Sequence, residues 1–318
     1  MSSTIATWLG RRVLGALVTV VIASVVVFGA LRLMPDTDGA LAGGRRLTPE
    51  QMAALRERYG LDDPFLMAYA DWAGNVLSFD FGISTVYQDS VNTLLASRLP
   101  VSAFLIGYSV VLTVLLGLTV AVIGAVKGGV VARLTTVLTS GAAATPPFVA
   151  TVVLLSVFAV QLGWFPTTGA GEGFLDRLWH LTLPALAMAL VAFGVLARVA
   201  QATFVEELRR EHVEVARSRG VRTGAIVRRH VIRNALGPIM TLGGVLVAGL
   251  FVGTAVVETA FGVNGIGSFL VSSVARQDFP VVQALALIGV TLFVVVSTIV
   301  EVLLPVVDPR VRKELVSR

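Results

Sequence analysis

Chemistry in this 318-residue chain has to come from its titratable and nucleophilic side chains, and they are sparse and poorly spaced for catalysis. There is no cysteine, which excludes disulfides, thiol nucleophiles and thiolate metal sites. The histidines, His180, His212 and His230, lack the spacing of metal ligands. No G-x-x-x-x-G-K-[ST] run offers a phosphate loop, and Gly262-Val263-Asn264-Gly265-Ile266-Gly267 reads as turn residues because no strand precedes it. H-E-x-x-H and G-x-S-x-G are missing as well. A proton relay would need ionisable groups near a membrane midplane, yet Arg32, Arg198, Glu258 and Glu301 fall near the ends of apolar stretches. Arg32 and Arg198 are expected to snorkel toward the interface. What remains is a basic segment, Glu214-Val215-Ala216-Arg217-Ser218-Arg219-Gly220, followed by His230-Val231-Ile232-Arg233-Asn234-Ala235-Leu236-Gly237-Pro238. Its chemistry is recognition: a helix, a glycine break and a second helix form a protrusion that another protein can grip.

The elements that position this segment follow from composition. Hydrophobic residues make up 55% of the chain and charged residues 14%, the signature of a membrane protein. The formal charge of +5 does not point to nucleic acid, because the basic residues flank apolar stretches and set orientation there. A bilayer core takes roughly 20 apolar residues per helix. Six stretches qualify: Val13 to Leu31, Val101 to Val126, about 134 to 160, about Leu181 to Phe204, Leu236 to Val257, and Phe279 to Val300. The first, with 19 uncharged residues after Arg11 and Arg12, is too long for a signal-peptide core and is expected to be retained. With the N-terminus inside, 17 of the 25 basic residues lie on inner segments, so both termini are expected on the cytoplasmic side.

Three local patterns stand out. Thr48-Pro49-Glu50-Gln51 predicts an N-cap, a proline at the first helical position and a capping box, opening an amphipathic helix to Gly60 that rests on the membrane surface with Met52, Leu55 and Tyr59 on one face. Thr145-Pro146-Pro147-Phe148 lies inside the third stretch and predicts a kink or break near Ala144, beside a translocation path or serving packing alone. In the basic segment, Phe204 to Arg219 is expected to be helical, with Glu206 near Arg209 and Glu214 near Arg217. Gly220 ends that helix, and Thr223 caps the next.

The Glu214 to Gly220 run resembles the E-A-A-x-x-x-G loop of permease subunits of ATP-binding-cassette (ABC) importers, with Val215 in place of the first alanine. The Arg233-Asn234-Ala235-Leu236-Gly237-Pro238 ending is similar to the version in peptide permeases, where the general signature has leucine-proline at Ile232-Arg233. Further pieces resemble that family in order: Arg32-Leu33-Met34-Pro35-Asp36, Leu47-Thr48-Pro49-Glu50-Gln51 with Leu61-Asp62-Asp63-Pro64, Asp80-Phe81-Gly82-Ile83-Ser84, Val257-Glu258-Thr259-Ala260-Phe261 with Gly265-Ile266-Gly267, Asp278-Phe279-Pro280-Val281-Val282-Gln283, and Asp308-Pro309-Arg310. The resemblance implies an all-α polytopic membrane protein with six transmembrane helices and a type I ABC importer permease fold. It divides the chain into an N-terminal transmembrane helix at 1–34, an extracytoplasmic segment at 35–90, a core at 91–305 with a coupling loop at about 206–235, and a cytoplasmic tail at 306–318. It implies an inner-membrane permease without enzymatic activity of its own, with ATP and Mg bound by two partner ATPase subunits and no cofactor in this chain. Further implied partners are a second homologous permease and an extracytoplasmic binding protein that delivers dipeptides or oligopeptides. Docking on the ATPase then falls to Glu214, Ala216, Arg217, Arg219, Gly220 and Val221. Thr145, Pro146, Pro147 and Phe148 are the candidate translocation-path residues. Nickel chelates, glutathione and sugars are alternative cargoes in such permeases. An ion-coupled secondary carrier and a structural membrane anchor are the rivals from other classes.

Overall fold

The computed structural model describes residues 2–32, 48–58, 60 and 62–307. A long first helix, α1 (Ser2–Arg32), is followed by two short ones, α2 (Pro49–Arg58) and α3 (Phe65–Leu77), and then by α4 (Val91–Lys127). Next come α5 (Gly129–Ala144), α6 (Pro147–Leu154) with a π-helical extension Leu155–Gln161, and α7 (Gly173–Leu208). The described residues continue with α8 (Glu211–Ser218), α9 (Thr223–Ile226) and its π-helical continuation Val227–Val231, α10 (Ile232–Ala260), α11 (Ile266–Ala275) and α12 (Phe279–Val307). Among the described residues the only β feature is a single bridge, Ile83 to Ser90.

Among the described residues five helices are long and apolar enough to cross a membrane, and the bent pair Gly129–Ala144 and Pro147–Gln161 makes a sixth crossing if counted as one. Five of the six expected stretches are therefore continuous helices and the third is a broken pair, and several run longer than expected. Helix α4 has 37 residues and α7 has 36, about 55 Å each at 1.5 Å per residue, against about 30 Å of hydrocarbon. The apolar count stopped at the first charge, whereas the backbone stays helical through Arg98 at one end of α4 and through Asp176 and Arg177 at the start of α7.

The core is the crossing of α4 and α7. Leu105, Ser109, Thr113, Gly117 and Ala121 recur every four residues and are all buried, forming a seam of mostly small side chains that lets two backbones approach closely. Helix α7 answers with Leu181, Ala185, Met188, Ala192 and Leu196, also buried. Helix α5 joins at one end, where Thr135 Oγ1 donates to Gln201 Oε1 at 3.2 Å. A Cβ on Gly194 would collide with the Ala143 amide and the Thr139 carbonyl, so only glycine lets α5 lie against α7 there.

Helix α1 packs chiefly on α12, and Arg12 pairs with Glu301 at 3.1 Å. The first helix thus begins on the side where α12 ends, the same side as the α7 to α10 connection. At its other end Phe28 sits among Phe65, Tyr69 and Trp72 of α3, with centroid distances of 5.3–5.7 Å. Arg32 departs from its expected snorkelling. Its guanidinium donates to the carbonyls of Asp63, at 3.0 Å, and Gly60, and lies over the Phe28 and Phe65 rings. It clamps the start of α3 onto α1. The capping box at α2 forms as expected, with Thr48 N–H donating to Gln51 Oε1 and Gln51 N–H to Thr48 Oγ1. Among the described residues the helix covers Pro49–Arg58 and Gly60 lies in a turn, and Arg56 donates to Asp62 at 2.7 Å, holding that carboxyl below the usual carboxylate range. The expectations for 33–36, Leu47, Tyr59, Leu61 and the segment from Asp308 onward lie outside the described residues.

Gly194→Ala is expected to destabilise the protein by about 1–3 kcal/mol through overpacking, read as a lower thermal unfolding midpoint in detergent. An unchanged midpoint would mean that α5 and α7 do not meet at this point.

Candidate functional site

The connection from α7 to α10 is a folded elbow. Helix α7 ends at Leu208, the chain turns at Arg209 and Arg210, and α8 follows as a separate helix. A single helix from Phe204 to Arg219 is therefore incorrect. The break coincides with a change of charge partner: Arg210 pairs with Glu206 at 3.3 Å and with Glu207 at 2.9 Å, in place of the expected Glu206 to Arg209 pair. Glu207 is buried, with 3% exposure, and also accepts from Asn234 Nδ2 at 3.2 Å. One carboxylate thereby ties the end of α7 to the turn and to the start of α10. Sequence reasoning passed over Glu207 because it reads as one more charge in a charged segment.

Helix α8 closes with a Schellman motif. Gly220 N–H donates to Arg217 C=O at 3.0 Å, Val221 N–H reaches back to Ala216 C=O at 3.1 Å, and Gly220 has φ +75°. That motif brings Ala216, Arg217, Arg219, Gly220 and Val221 into one tight corner, and Glu214 sits one turn earlier on the same short helix. Glu211 and Glu214 lie in the first turn of α8 and Arg217 in the last, the polarity that complements a helix dipole. Glu214, Arg217, Arg219, Gly220 and Val221 are exposed, and Ala216 is half-buried. Behind them Val213, Ile226 and Val231 are buried in a cluster with Ala121, Leu196, Phe204 and Ala235, which roots the elbow in α4, α7 and α10. Thr223 does not cap α9: Arg222 occupies that place, extended, and Thr223 is the first helical residue.

The proline pair breaks its helix outright. Thr145 and Pro146 are extended, Pro147 opens α6, and the two axes differ by 102°. Each arm, 16 and 15 residues long, spans only about 23 Å, too little to cross a bilayer alone. Thr145 Oγ1 donates to Gly141 C=O at 2.8 Å and its N–H to Ala142 C=O, so the break leaves little backbone unpaired. Pro146, Pro147 and Phe148 are exposed on this chain, Phe148 by 59%, and Thr145 is half-buried. They sit apart from the elbow as a second candidate region.

On the side opposite the elbow two buried carboxylates join distant motifs. Glu258 accepts from Ser102 Oγ at 2.5 Å and from the Gly267 and Ser268 amides at 2.8 and 3.0 Å. Ser102 Oγ in turn accepts from Ile266 N–H at 2.8 Å. The glycines read as simple turn residues are thus partly helical: Gly265 caps α11, and Gly267 lies within it, so close to Thr254 and Ala255 that no side chain fits. Asp278, fully buried, accepts from Ser84 Oγ at 2.5 Å and from Thr85 N–H at 3.1 Å. Glu258 and Gly267 are parts of two sequence motifs, as are Ser84 and Asp278, and each pair meets here.

Five to six apolar crossings among the described residues, with an exposed elbow rooted in three of the long helices, fit a membrane-embedded helical bundle. The chain belongs to the family described as "Binding-protein-dependent transport system inner membrane component", which matches residues 99–313, and is an inner-membrane permease subunit of an ABC importer. The companion N-terminal family, "Binding-prot-dependent transport system membrane comp, N-term", matches residues 5–106. The chain is similar to the Glutathione transport system permease protein GsiC of Pectobacterium atrosepticum, of Escherichia coli strain K12 and of Salmonella typhimurium strain LT2. Each is 32% identical over 303 residues, which cover 95% of this chain and 97% of the relative.

Because Ser102 and Glu258 share one buried network, Glu258→Ala is expected to cost about 1–3 kcal/mol or more. The double variant with Ser102→Ala should lose less than the sum, with a coupling above about 0.5 kcal/mol. Thermal unfolding of the four proteins in detergent measures this, and strict additivity would count against the network.

Proposed function

We propose that this permease forms half of a translocation pathway for dipeptides or oligopeptides, with a second homologous permease supplying the other half. An extracytoplasmic binding protein delivers the cargo, and two ATPase subunits, which hold the ATP and Mg, dock on the elbows of the two permeases. In this chain the docking residues are Glu214, Ala216, Arg217, Arg219, Gly220 and Val221. Both termini face the cytoplasm, a reading supported by the excess of Lys and Arg on those segments and by the Arg12 to Glu301 pair, which brings the early part of α1 beside the late part of α12. Thr145 to Phe148 border the pathway, supported by non-helical backbone within an apolar crossing, which is tolerated where protein or a cavity covers it.

The observation that carries docking is the construction of the elbow. Its exposed corner is shaped by main-chain hydrogen bonds around Gly220, and its buried side is bonded through Glu207 and Asn234 to two membrane helices. A push on such a corner moves α7 and α10 together and is not absorbed by loop bending. Closure of the ATPases would then bias the bundle between inward-facing and outward-facing states through contacts that differ between the two. Peptide cargo is supported by the peptide-permease form of the sequence motifs. Glutathione, the cargo in the relatives' names, is itself a tripeptide and is the second reading. An ion-coupled carrier is disfavoured because the centres of the apolar stretches carry no ionisable residue.

Two measurements test this. Gly220→Leu forces a side chain into the left-handed region, at a cost of about 1–2 kcal/mol, and opens the corner. It is expected to abolish co-purification of the ATPase and uptake of labelled peptide while the protein still reaches the membrane, and full retention of both would remove the docking assignment. Uptake of a labelled tripeptide in competition with glutathione separates the cargo readings: mutual competition assigns both to one system, and exclusive glutathione uptake rejects the general peptide reading.

A further inference from the structure

Toward the elbow, a groove of about 690 Å3 runs between α5 and α7. Its walls are Val195, Val199, Ala202 and Val205 of α7 and the edge of α5 at Thr136. Two of the three polar residues that line it are already engaged. Thr136 Oγ1 donates to the Ala132 carbonyl at 2.8 Å. Gln201, only 8% exposed, accepts from Thr135 Oγ1 at 3.2 Å and turns its Nε2 toward the Ala132 carbonyl. The third is Arg198, which is exposed and has no hydrogen bond or ion pair among the described residues. It stands ten residues before the end of α7 at Leu208, about 15 Å into the crossing at 1.5 Å per residue. At Val205 the groove adjoins a second cavity of about 410 Å3, which Arg209 and Arg217 line. No acidic side chain is among the described lining residues of either.

An arginine at this depth in an apolar crossing is costly without a counter-ion. It repels metal ions and ammonium groups, and a wholly apolar occupant would leave it unpaired, so the groove calls for an anion with an apolar body. The carboxylates of the long helices are all engaged elsewhere. Asp176 pairs with His180, Glu206 and Glu207 with Arg210, and Glu301 with Arg12, while Glu258 accepts from Ser102. A homologous second permease built on the same pattern brings no spare carboxylate to this depth, and that step alone rests on the reading above. A phospholipid of the leaflet on the elbow's side supplies both parts at once, and basic pockets between membrane helices suit such headgroups. We infer that the groove seats a phospholipid with an anionic headgroup. Its phosphate pairs with Arg198, whose long side chain reaches toward the surface. The headgroup extends toward Arg209, and the acyl chain lies against Val199 and Val195. Arginine fits this task better than lysine, because its planar fork donates two parallel hydrogen bonds to a phosphate.

The test uses the full chain with whatever subunits co-purify, in phosphatidylcholine nanodiscs that carry a trace of photoreactive lipid. The probe has one diazirine-bearing tail and either a phosphatidylglycerol or a phosphatidylcholine headgroup. After irradiation and digestion, mass spectrometry reads the labelling in two places. One is the Val195 to Val205 stretch, and the other is the outward flank of α1 at Val18, Val21, Ile22 and Val26, which is apolar, exposed and serves as the unselective control. An arginine near an anionic headgroup is worth about fivefold. The phosphatidylglycerol probe is therefore expected to label the groove at least about fivefold more than the phosphatidylcholine probe, and both should label α1 equally. Arg198→Gln should remove about fivefold of that preference with α1 labelling unchanged, and Arg198→Lys should restore part of it. Equal labelling of the groove by the two probes overturns the inference on the native protein, without reliance on any variant. A groove that neither probe labels, while α1 is labelled, also overturns it: another subunit then covers the groove, and the importer reading is left standing. A preference that survives Arg198→Gln overturns the assignment to this arginine. Loss of the preference on adding free alanyl-alanine, but not its C-terminal amide, overturns the lipid and gives Arg198 to a peptide carboxylate.

Discussion

Lipid offers no hydrogen-bond partners, so a chain that interrupts its helices in an apolar setting must close each interruption from within. Much of this molecule follows from how it does so. At α11 the first four amides are all taken: Ile266 by Ser102, Gly267 and Ser268 by Glu258, and Phe269 by the Gly265 carbonyl. At the proline break the problem is avoided at source, because Pro146 and Pro147 have no amide hydrogens where the helix restarts and Thr145 bonds back into α5. The buried carboxylates are thus tied to the backbone's need for partners, and their positions fix which helices meet.

The two sides of the bundle solve this problem differently. On the elbow side the corner at Gly220 is closed by main-chain bonds, leaving its outward side chains free of structural duty. On the opposite side buried side chains, Glu258 and Asp278, close the junctions, and the residues they hold are 9 to 194 positions away in sequence. A surface meant to be gripped benefits from the first arrangement, since shape is kept while contacts vary. A region that must hold several helix ends in register benefits from the second.

The six apolar stretches were legible in the sequence because length without charge is a physical requirement of crossing, and Gly220 was legible because only glycine readily takes φ +75° at a helix end. The split between α7 and α8 was not, since residues 204 to 219 carry a continuous helical pattern and the break depends on Glu207 turning inward to meet Arg210 and Asn234. The role of Glu258 was hidden for a similar reason: a carboxylate near the end of an apolar run looks interfacial until Ser102 and α11 are brought against it. Arg32 looked like a snorkelling cation because its partners are backbone carbonyls, which no residue pattern advertises.

The packing of α1 carries a consequence for the order of events during synthesis. Its main neighbour is α12, close to the other end of the chain, and Arg12 finds Glu301 only there. At about 5–20 residues per second, α1 leaves the ribosome on the order of tens of seconds before α12. Through that interval its early hold on the molecule is the aromatic cluster where Phe28 meets α3, while Leu14, Leu17 and Val21 face outward from this chain even after α12 is in place. The α1 side of the bundle is therefore completed only when α12 arrives.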